Sequence, residues 1–338
     1  MSLLQTNVSL KPYNTFGIDV SAKLFADVKN EADLKAIFTD PRIINQKLLV
    51  LGGGSNMLFT QHFDGLVIKI SIPGIRYQQN ADDILVIAGG GVIWNDLVVY
   101  CVENGFAGLE NLTLIPGTVG ASPIQNIGAY GVELKDVFVS CTALEIATGN
   151  VASFNHEDCK FGYRDSVFKN ELKGKYIITE VAFKLSTKAN LQTHYGAITT
   201  ELANRSINEP TIADVSKVVA DIRVSKLPDP KTIGNAGSFF KNPVITRQAF
   251  DQLQQNYPET VHYPAPNNQV KLAAGWLIEQ CGFKGVLHGA TGTWKNQALV
   301  LVNHGGATGQ EVYNFSEQII NAVYTKFGVR LEREVNIL

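Results

Sequence analysis

The sequence predicts a globular chain of mixed helix and strand, folded as two or three domains. Three observations carry that expectation. Short apolar or alternating runs are interleaved with stretches of helical spacing, so both element types occur along one chain. The length, 338 residues, suits two or three domains of ordinary size. The segment LPDP at 227–230 breaks the periodicity and marks a boundary.

Each element has its own signal. KLFADV (23–28) reads as a strand, EADLKAIF (31–38) as a helix, and KLLVL (47–51) and GLVIKI (65–70) as strands. ILVIA (84–88) runs into Gly89, Gly90 and Gly91, and the helix WNDLVVYCVENG follows, closed by Gly105. VFVSCTALEIATGNVASF forms a hairpin turning at Thr-Gly-Asn, and YIITEVAFKL (176–185) is a strand. IADVSKVVADIRVSKL (212–227) has helical spacing. Beyond the break, helices are predicted over RQAFDQLQQN, KLAAGWLIEQCGF and QEVYNFSEQIINAVYTKFG. ALVLVN (298–303) is a strand, and VRLEREVNIL is extended.

Composition narrows the function classes. A net charge of −2 leaves no electrostatic footprint for nucleic acid or an anionic membrane. The first residues show no basic start followed by an apolar core, and no run is long enough to span a bilayer, so the expected location is cytoplasmic. Cys101, Cys141, Cys159 and Cys281 have neither metal nor redox spacing, and the histidines are scattered; no metal site is expected. Balanced charge without an apolar stripe points to a monomer.

Two glycine-rich loops stand out. LGGGSN (51–56) follows a strand, where backbone amides can approach a pyrophosphate. A dinucleotide fingerprint would need glycines at 52, 54 and 57, and Met57 breaks it. Alone, the loop is at least as well read as a tight turn. The second, LENLTLIPGTVGASPIQNIGAYGVEL (109–134), is uncharged and places Gly117, Gly120, Gly128 and Gly131 around Ser122, Gln125 and Asn126. An Ω-loop packed for its own sake is the plain alternative, but structureless loops of this length are uncommon without a ligand. Two such loops suit a long dinucleotide such as FAD.

Candidates for chemistry lie elsewhere. In GNAGSFFKNP (234–243), Ser238 sits between backbone-only residues and two phenylalanines. FGYRDSVFK (161–169) offers Tyr163 and Arg164, with a surface pair to Asp165 as the bland reading and a carboxylate or oxyanion partner as the sharp one. In LEREV (331–335), Glu332 and Glu334 share a strand face, as on a polar edge strand or in a site. Arg223, Lys226, Lys231 and Lys241 form a basic stretch, either a solvated face or a site for a diphosphate or an NADPH phosphate. Tyr195, in a loop before a helix, can stack on a ligand or stand exposed.

Together these segments resemble the UDP-N-acetylenolpyruvoylglucosamine reductase family, in its longer form. The matching pieces are NTFGI (14–18), LGGGSN, GLENLTLIPGTVGASPIQNIGAYGVEL (108–134), FGYRDSVFK, SKLPDPK (225–231), GNAGSFFKNP, KLAAGWLIEQCG (271–282), NQALVLVN (296–303) and LEREV. They occur in the family's order from near one end of the chain to near the other. The resemblance implies an α+β fold of three domains. Residues 1–70 and 71–226 would form a vanillyl-alcohol-oxidase-type FAD-binding unit, with a tyrosine-loop insertion near Tyr195. Residues 227–328 would bind substrate, and 329–338 would return to the first domain.

The resemblance also implies a reaction. NADPH reduces bound FAD, and UDP-N-acetylglucosamine enolpyruvate then receives hydride at its vinyl carbon and a proton at the adjacent carbon, giving UDP-N-acetylmuramate. By the same resemblance Ser238 donates that proton, Gly237 admits the substrate, and Phe239 and Phe240 exclude water. Arg164 and Glu334 polarise the substrate carboxylate, Glu334 with a raised pKa. Gly52, Gly53, Gly54, Ser55 and Asn56, with Pro116, Gly117, Thr118, Gly120, Ser122, Asn126, Gly128, Ala129 and Gly131, would carry FAD. Ser55 and Asn56 stand where related flavoproteins place a histidine, so FAD is expected to be noncovalent. Tyr163, Tyr195, Lys226, Asn242 and Gln297 would hold the UDP-sugar. Arg333 departs from the pattern, since other members can carry proline there. The competing expectations are an FAD oxidase of the same superfamily and a non-catalytic UDP-sugar binder.

Overall fold

The computed structural model describes residues 3–338. The chain packs into two compact units, neither of them continuous in sequence. The first comprises the N-terminal residues to Val8, Ala22–Gly53 and Asp64–Arg223; the second comprises Ser9–Ser21, Gly54–Phe63 and Val224–Leu338. The expected junction at 226/227 lies close to this division. That at 70/71 falls inside the first unit, and residues 9–21 and 54–63 cluster with the C-terminal segment.

The first unit is built on two sheets. One has the strand order Leu4–Ser9, Ser21–Val28, Phe63–Ile70, Lys47–Leu51, the last two parallel. Helix α1 (Glu31–Phe38) starts at Asn30, whose side chain accepts from the Asp33 amide at 2.9 Å, as a helix N-cap does. Its Leu34 and Ile37 share a core with Leu24, Ala26, Val28, Leu66 and Ile68.

The other sheet is antiparallel, in the order Val151–Asn155, Phe138–Glu145, Tyr176–Ser186, Asp83–Gly89, Ile75–Asn80. Helix α2 (Trp94–Glu103) buries Trp94, Leu97, Val98 and Cys101 against it. Loop 109–134 adds Leu109, Leu112, Val119, Val132 and Leu134 to the same core, which holds a non-periodic segment in place. Helices α3 (Gly196–Asn204) and α4 (Ile212–Lys226) pack through Ile198, Leu202, Val215, Val218, Val219 and Ile222.

The second unit carries an antiparallel sheet, Gly234–Ser238, Gln297–Asn303, Thr291–Trp294, Leu287–His288. A smaller sheet orders Val244–Thr246, Gln269–Leu272, His262–Ala265. Helices α5 (Arg247–Asn256), α6 (Ala274–Gln280) and α7 (Gly309–Phe327) complete it. The helix expected over 271–283 starts only at Ala274, because Lys271 and Leu272 pair with Val244 and His262 as strand. A capping box of Thr308 and Glu311 opens α7, and Gly328, at φ 69°, closes it.

The segment NTFGI belongs to this unit. Asn14 holds its turn through bonds to Leu10 O at 2.8 Å and Ile18 O at 3.0 Å. The Asn235 amide donates to Thr15 O at 3.0 Å, and Asn303 Nδ2 donates to Phe16 O at 2.9 Å. At the far end, Asn336–Ile337 pairs in parallel with Met57–Leu58.

Candidate active site

In the first unit the two glycine loops meet backbone to backbone. A Cβ on Gly52 would lie 2.5 Å from Thr118 Oγ1, and one on Gly53 would lie 2.8 Å from Gly117 Cα. Among the described residues, no protein acceptor takes the Gly52 or Gly53 amides. Thr118 Oγ1 is buried without a hydrogen-bond partner. Bare amides, side-chain-free backbone and an orphaned hydroxyl suit the phosphates of a dinucleotide. Other members of the expected cofactor set are engaged within the loop. Ser122 Oγ donates to Val119 O at 2.7 Å. Asn126 is fully buried, with Nδ2 donating to Gly162 O at 3.0 Å and Glu133 Oε2 at 3.1 Å. Gly117 O accepts from the Trp94 amide at 3.1 Å, which docks α2 on the loop just after Pro116.

Arg164 docks on the same loop. Its own φ is 54°, and Nη2 donates to Gly128 O at 2.9 Å. Gly128–Ala129 pairs with Val132–Glu133 in a small hairpin that turns through Tyr130 and Gly131, at φ 49° and 85°. Tyr163 is exposed, and the Arg164 guanidinium lies 5.8 Å from the centre of its ring. Tyr195 precedes α3 and meets Tyr130 edge-on at 5.5 Å.

One residue, named in the sequence only as part of a basic stretch, takes a specific place here. Arg223, on α4, bonds to Tyr130, and its Nε is buried with no acceptor among the described residues. Burial lowers its pKa from the ordinary arginine value; Tyr130 opposes that shift and the charge of Arg164 adds to it. Burial likewise raises the Tyr130 pKa. Two guanidinium groups acting on each other in a half-dry setting are costly unless an anion joins them. The sequence does carry a signal. Arg223 follows Val219 and Val215 at helical spacing, so it lies on the buried stripe of α4.

In the second unit, Gly54 and Ser55 also keep amides that no protein acceptor takes among the described residues. Gly54 has φ 62°, and a Cβ there would strike Tyr13 O. Asn56 Nδ2 donates to Glu334 O at 3.3 Å. Ser238 ends the strand Gly234–Ser238, after a bulge at Ala236 and Gly237 in its pairing with Gln297–Asn303. Gly237 is left-handed, at φ 68°, and its amide donates to Asn235 Oδ1 at 3.0 Å. Such a bulge re-aims the next side chain, and Ser238 is exposed. Nothing of the protein lies within 4 Å of a Cβ on Gly237, so its backbone angle alone calls for glycine.

Phe239 and Phe240 differ from expectation. Both rings are fully buried; Phe239 meets Phe16 edge-on at 6.1 Å and Phe240 at 5.3 Å. They anchor the strand in the core instead of screening its open face. The segment 332–334 lies antiparallel to 239–241: the Glu334 amide donates to Phe239 O at 2.8 Å, and the Lys241 amide to Glu332 O at 2.9 Å. The pairing sets Glu334 opposite Phe239, one residue along from Ser238. The two glutamates differ, because exposed Glu332 pairs with Lys241 at 3.3 Å while Glu334 is half-buried.

Asn242 and Gln297 gather at the start of α6. Asn242 Oδ1 accepts from the Ala274 amide at 3.0 Å, and a Cβ on Gly275 would lie 2.9 Å from Gln297 Oε1. Lys226 is exposed at the end of α4, and Asn296 Nδ2 donates to the preceding Ser225 O at 2.8 Å. No group of metal-ligating side chains occurs among the described residues.

Residues 229–338 match the C-terminal domain of UDP-N-acetylenolpyruvoylglucosamine reductase, and residues 22–155 match an FAD-binding domain. A curated UDP-N-acetylenolpyruvoylglucosamine reductase of Flavobacterium johnsoniae is 50% identical over 338 residues, 99% of each chain. The chain belongs to the UDP-N-acetylenolpyruvoylglucosamine reductase family. A family member from Pseudomonas aeruginosa is 49% identical over 339 residues, the full length of both. The crystal structure of the Thermus caldophilus enzyme covers 99% of this chain and 98% of its own at a TM-score of 0.67 and 23% identity, which supports the shared α+β fold. The FAD-binding match overlaps Gly52 to Asn56 and the loop from Pro116 to Gly131, the glycine loops whose geometry suits a dinucleotide.

Proposed function

We propose that this reductase converts UDP-N-acetylglucosamine enolpyruvate to UDP-N-acetylmuramate for peptidoglycan synthesis, as an FAD-dependent UDP-N-acetylmuramate dehydrogenase that takes its electrons from NADPH in the cytoplasm. The observation that carries it is half-identity to reductases of that name along the whole chain. FAD, held noncovalently, would supply the hydride transfer from NADPH to the vinyl carbon of the substrate. Gly52 to Asn56 and Pro116 to Gly131 would hold it, the bare amides of Gly52 to Ser55 suiting its phosphates.

The chain's own residues supply the rest. Ser238, turned outward by the bulge at Gly237, holds the proton for the carbon beside the ether oxygen. A serine hydroxyl is a weak acid, so it must stand within hydrogen-bond reach of a strongly basic carbon. Arg164 places positive charge where the carboxylate gathers negative charge. Glu334 aids the same end of the substrate only while it carries a proton. Tyr163, Tyr195, Lys226, Asn242 and Gln297 hold the UDP-sugar, Lys226 at the diphosphate. Three domains with junctions near 70 and 226 are retained as the family-level division.

The test is anaerobic. NADPH added to FAD-loaded protein should bleach the visible flavin band, and UDP-N-acetylglucosamine enolpyruvate should restore it. Recovery only on admitting oxygen would reject the reading in favour of an oxidase. A protein that stays colourless in FAD would reject it in favour of a sugar-nucleotide binder.

A further inference from the structure

We propose that Arg333 is a positioning residue that clamps the Glu334 segment onto α7; the inference rests on the reading of Glu334 given above. Residues 331–335 belong to no regular strand. Their backbone is tied to 239–241 by a single bridge, Phe240 with Arg333, and by the two amide bonds that flank it. A segment so lightly laddered depends on side chains for its alignment.

Arg333 supplies three fastenings on one turn of α7. Its guanidinium lies 4.4 Å from the centre of the Tyr313 ring. Nε donates to Ser316 Oγ at 2.8 Å, and Nη2 pairs with Glu317 Oε1 at 2.7 Å. Ser316 is fully buried and is itself fixed by donating to Tyr313 O at 2.6 Å. The Arg333 side chain is 17% exposed, and its guanidinium, paired with Glu317, holds that carboxyl below the usual range. A planar fork that stacks, donates and pairs at once fixes a backbone position better than a point charge. Side chains alternate along an extended segment, so anchoring Arg333 on α7 turns Glu332 and Glu334 to the opposite face.

The experiment is a double-mutant cycle of Arg333→Ala with Glu334→Gln in the FAD-loaded protein. Flavin reduction by NADPH and reoxidation by UDP-N-acetylglucosamine enolpyruvate are followed separately, with hydrogen exchange at 239–241 and 332–336. Arg333→Ala should slow reoxidation about tenfold, leave reduction within about twofold, and speed exchange in both segments. In the Glu334→Gln background it should cost nothing further, because it acts only through Glu334. Equal losses in both backgrounds would make Arg333 merely structural and overturn the inference. Reoxidation at the wild-type rate in Arg333→Ala, with Glu334→Gln slow, would overturn it while sparing the role of Glu334. Glu334→Gln at the wild-type rate would overturn both. Should Arg333→Ala fail to fold, Glu317→Gln removes the ion pair alone and is judged by the same comparison.

Discussion

At the residue scale the sharpest feature is the division of labour around Ser238. Gly237 bends the strand, Phe239 and Phe240 bolt it to the core, and the serine between them faces outward. Ser238→Ala removes one hydroxyl and no packing. Its reoxidation by substrate should fall about 10²–10⁴-fold, while flavin reduction by NADPH stays near wild type; stopped-flow absorbance separates the two. Arg164→Lys should lose about 10²-fold in the substrate half-reaction, because an ammonium cannot hold Gly128 O and face a carboxylate with one planar group. A variant at the wild-type rate would remove Arg164 from the mechanism. Both residues are proposed from the sequence because family motifs carry them. Arg223 was harder to see. Read as part of a basic stretch, either a solvated face or a phosphate site, it takes its place from the buried stripe of α4, which spacing alone could have shown.

At the element scale, legibility followed periodicity. Helices α1, α2, α4, α5 and α7 and the strands Lys47–Leu51 and Tyr176–Ser186 fall where apolar spacing places them. Ile75–Asn80 went unseen because it is a polar, largely exposed edge strand with no inward face to pattern it. The two short strands flanking Ala265 and Gln269 lack a run long enough to read, and they shortened the predicted start of α6. The contact of the two glycine loops was hidden for another reason. Proximity across the chain leaves no local trace. It can be tested by Gly53→Ala, whose Cβ would meet Gly117 backbone. Overpacking of that kind costs about 1–3 kcal/mol, and FAD titration followed by flavin fluorescence should show weaker binding; unchanged affinity would refute the shared role of the loops. The cap of α7 makes a pH prediction. Bonds from the Thr308 amide and hydroxyl hold the Glu311 carboxyl below its ordinary value of 4.5. That contribution is present above the ordinary value and is lost as pH falls through the lowered one. Glu311→Gln should therefore flatten the acid limb of a thermal-melting profile and leave neutral-to-basic behaviour parallel to wild type.

At the scale of the whole molecule, the thiols report on the two units separately. Cys101, Cys141 and Cys159 are buried in the first, and Cys281 is half-buried in the second. Burial, with help from Glu110, pushes the Cys101 thiol up to about 12. Contact with Cys159 and burial push Cys141 up as well. In native protein a thiol reagent at neutral pH should reach Cys281 first and the other three only through opening of the first unit. Peptide mapping against time gives the order; early labelling of Cys141 would contradict the packing.

The return of Asn336–Ile337 to Met57–Leu58 also bears on how the molecule is made. A ribosome delivers the chain from its N-terminus at about 5–20 residues per second, so the two partners of that pairing emerge about 15–60 s apart. For the first half of that interval residues 9–21 and 54–63 wait while the segment they belong with, Val224–Leu338, has yet to be translated. The first unit can close before Val224–Leu338 is made, but the second cannot be completed until that segment has emerged. A product truncated before Val224 would carry the second unit's early segments without the partners they pack against.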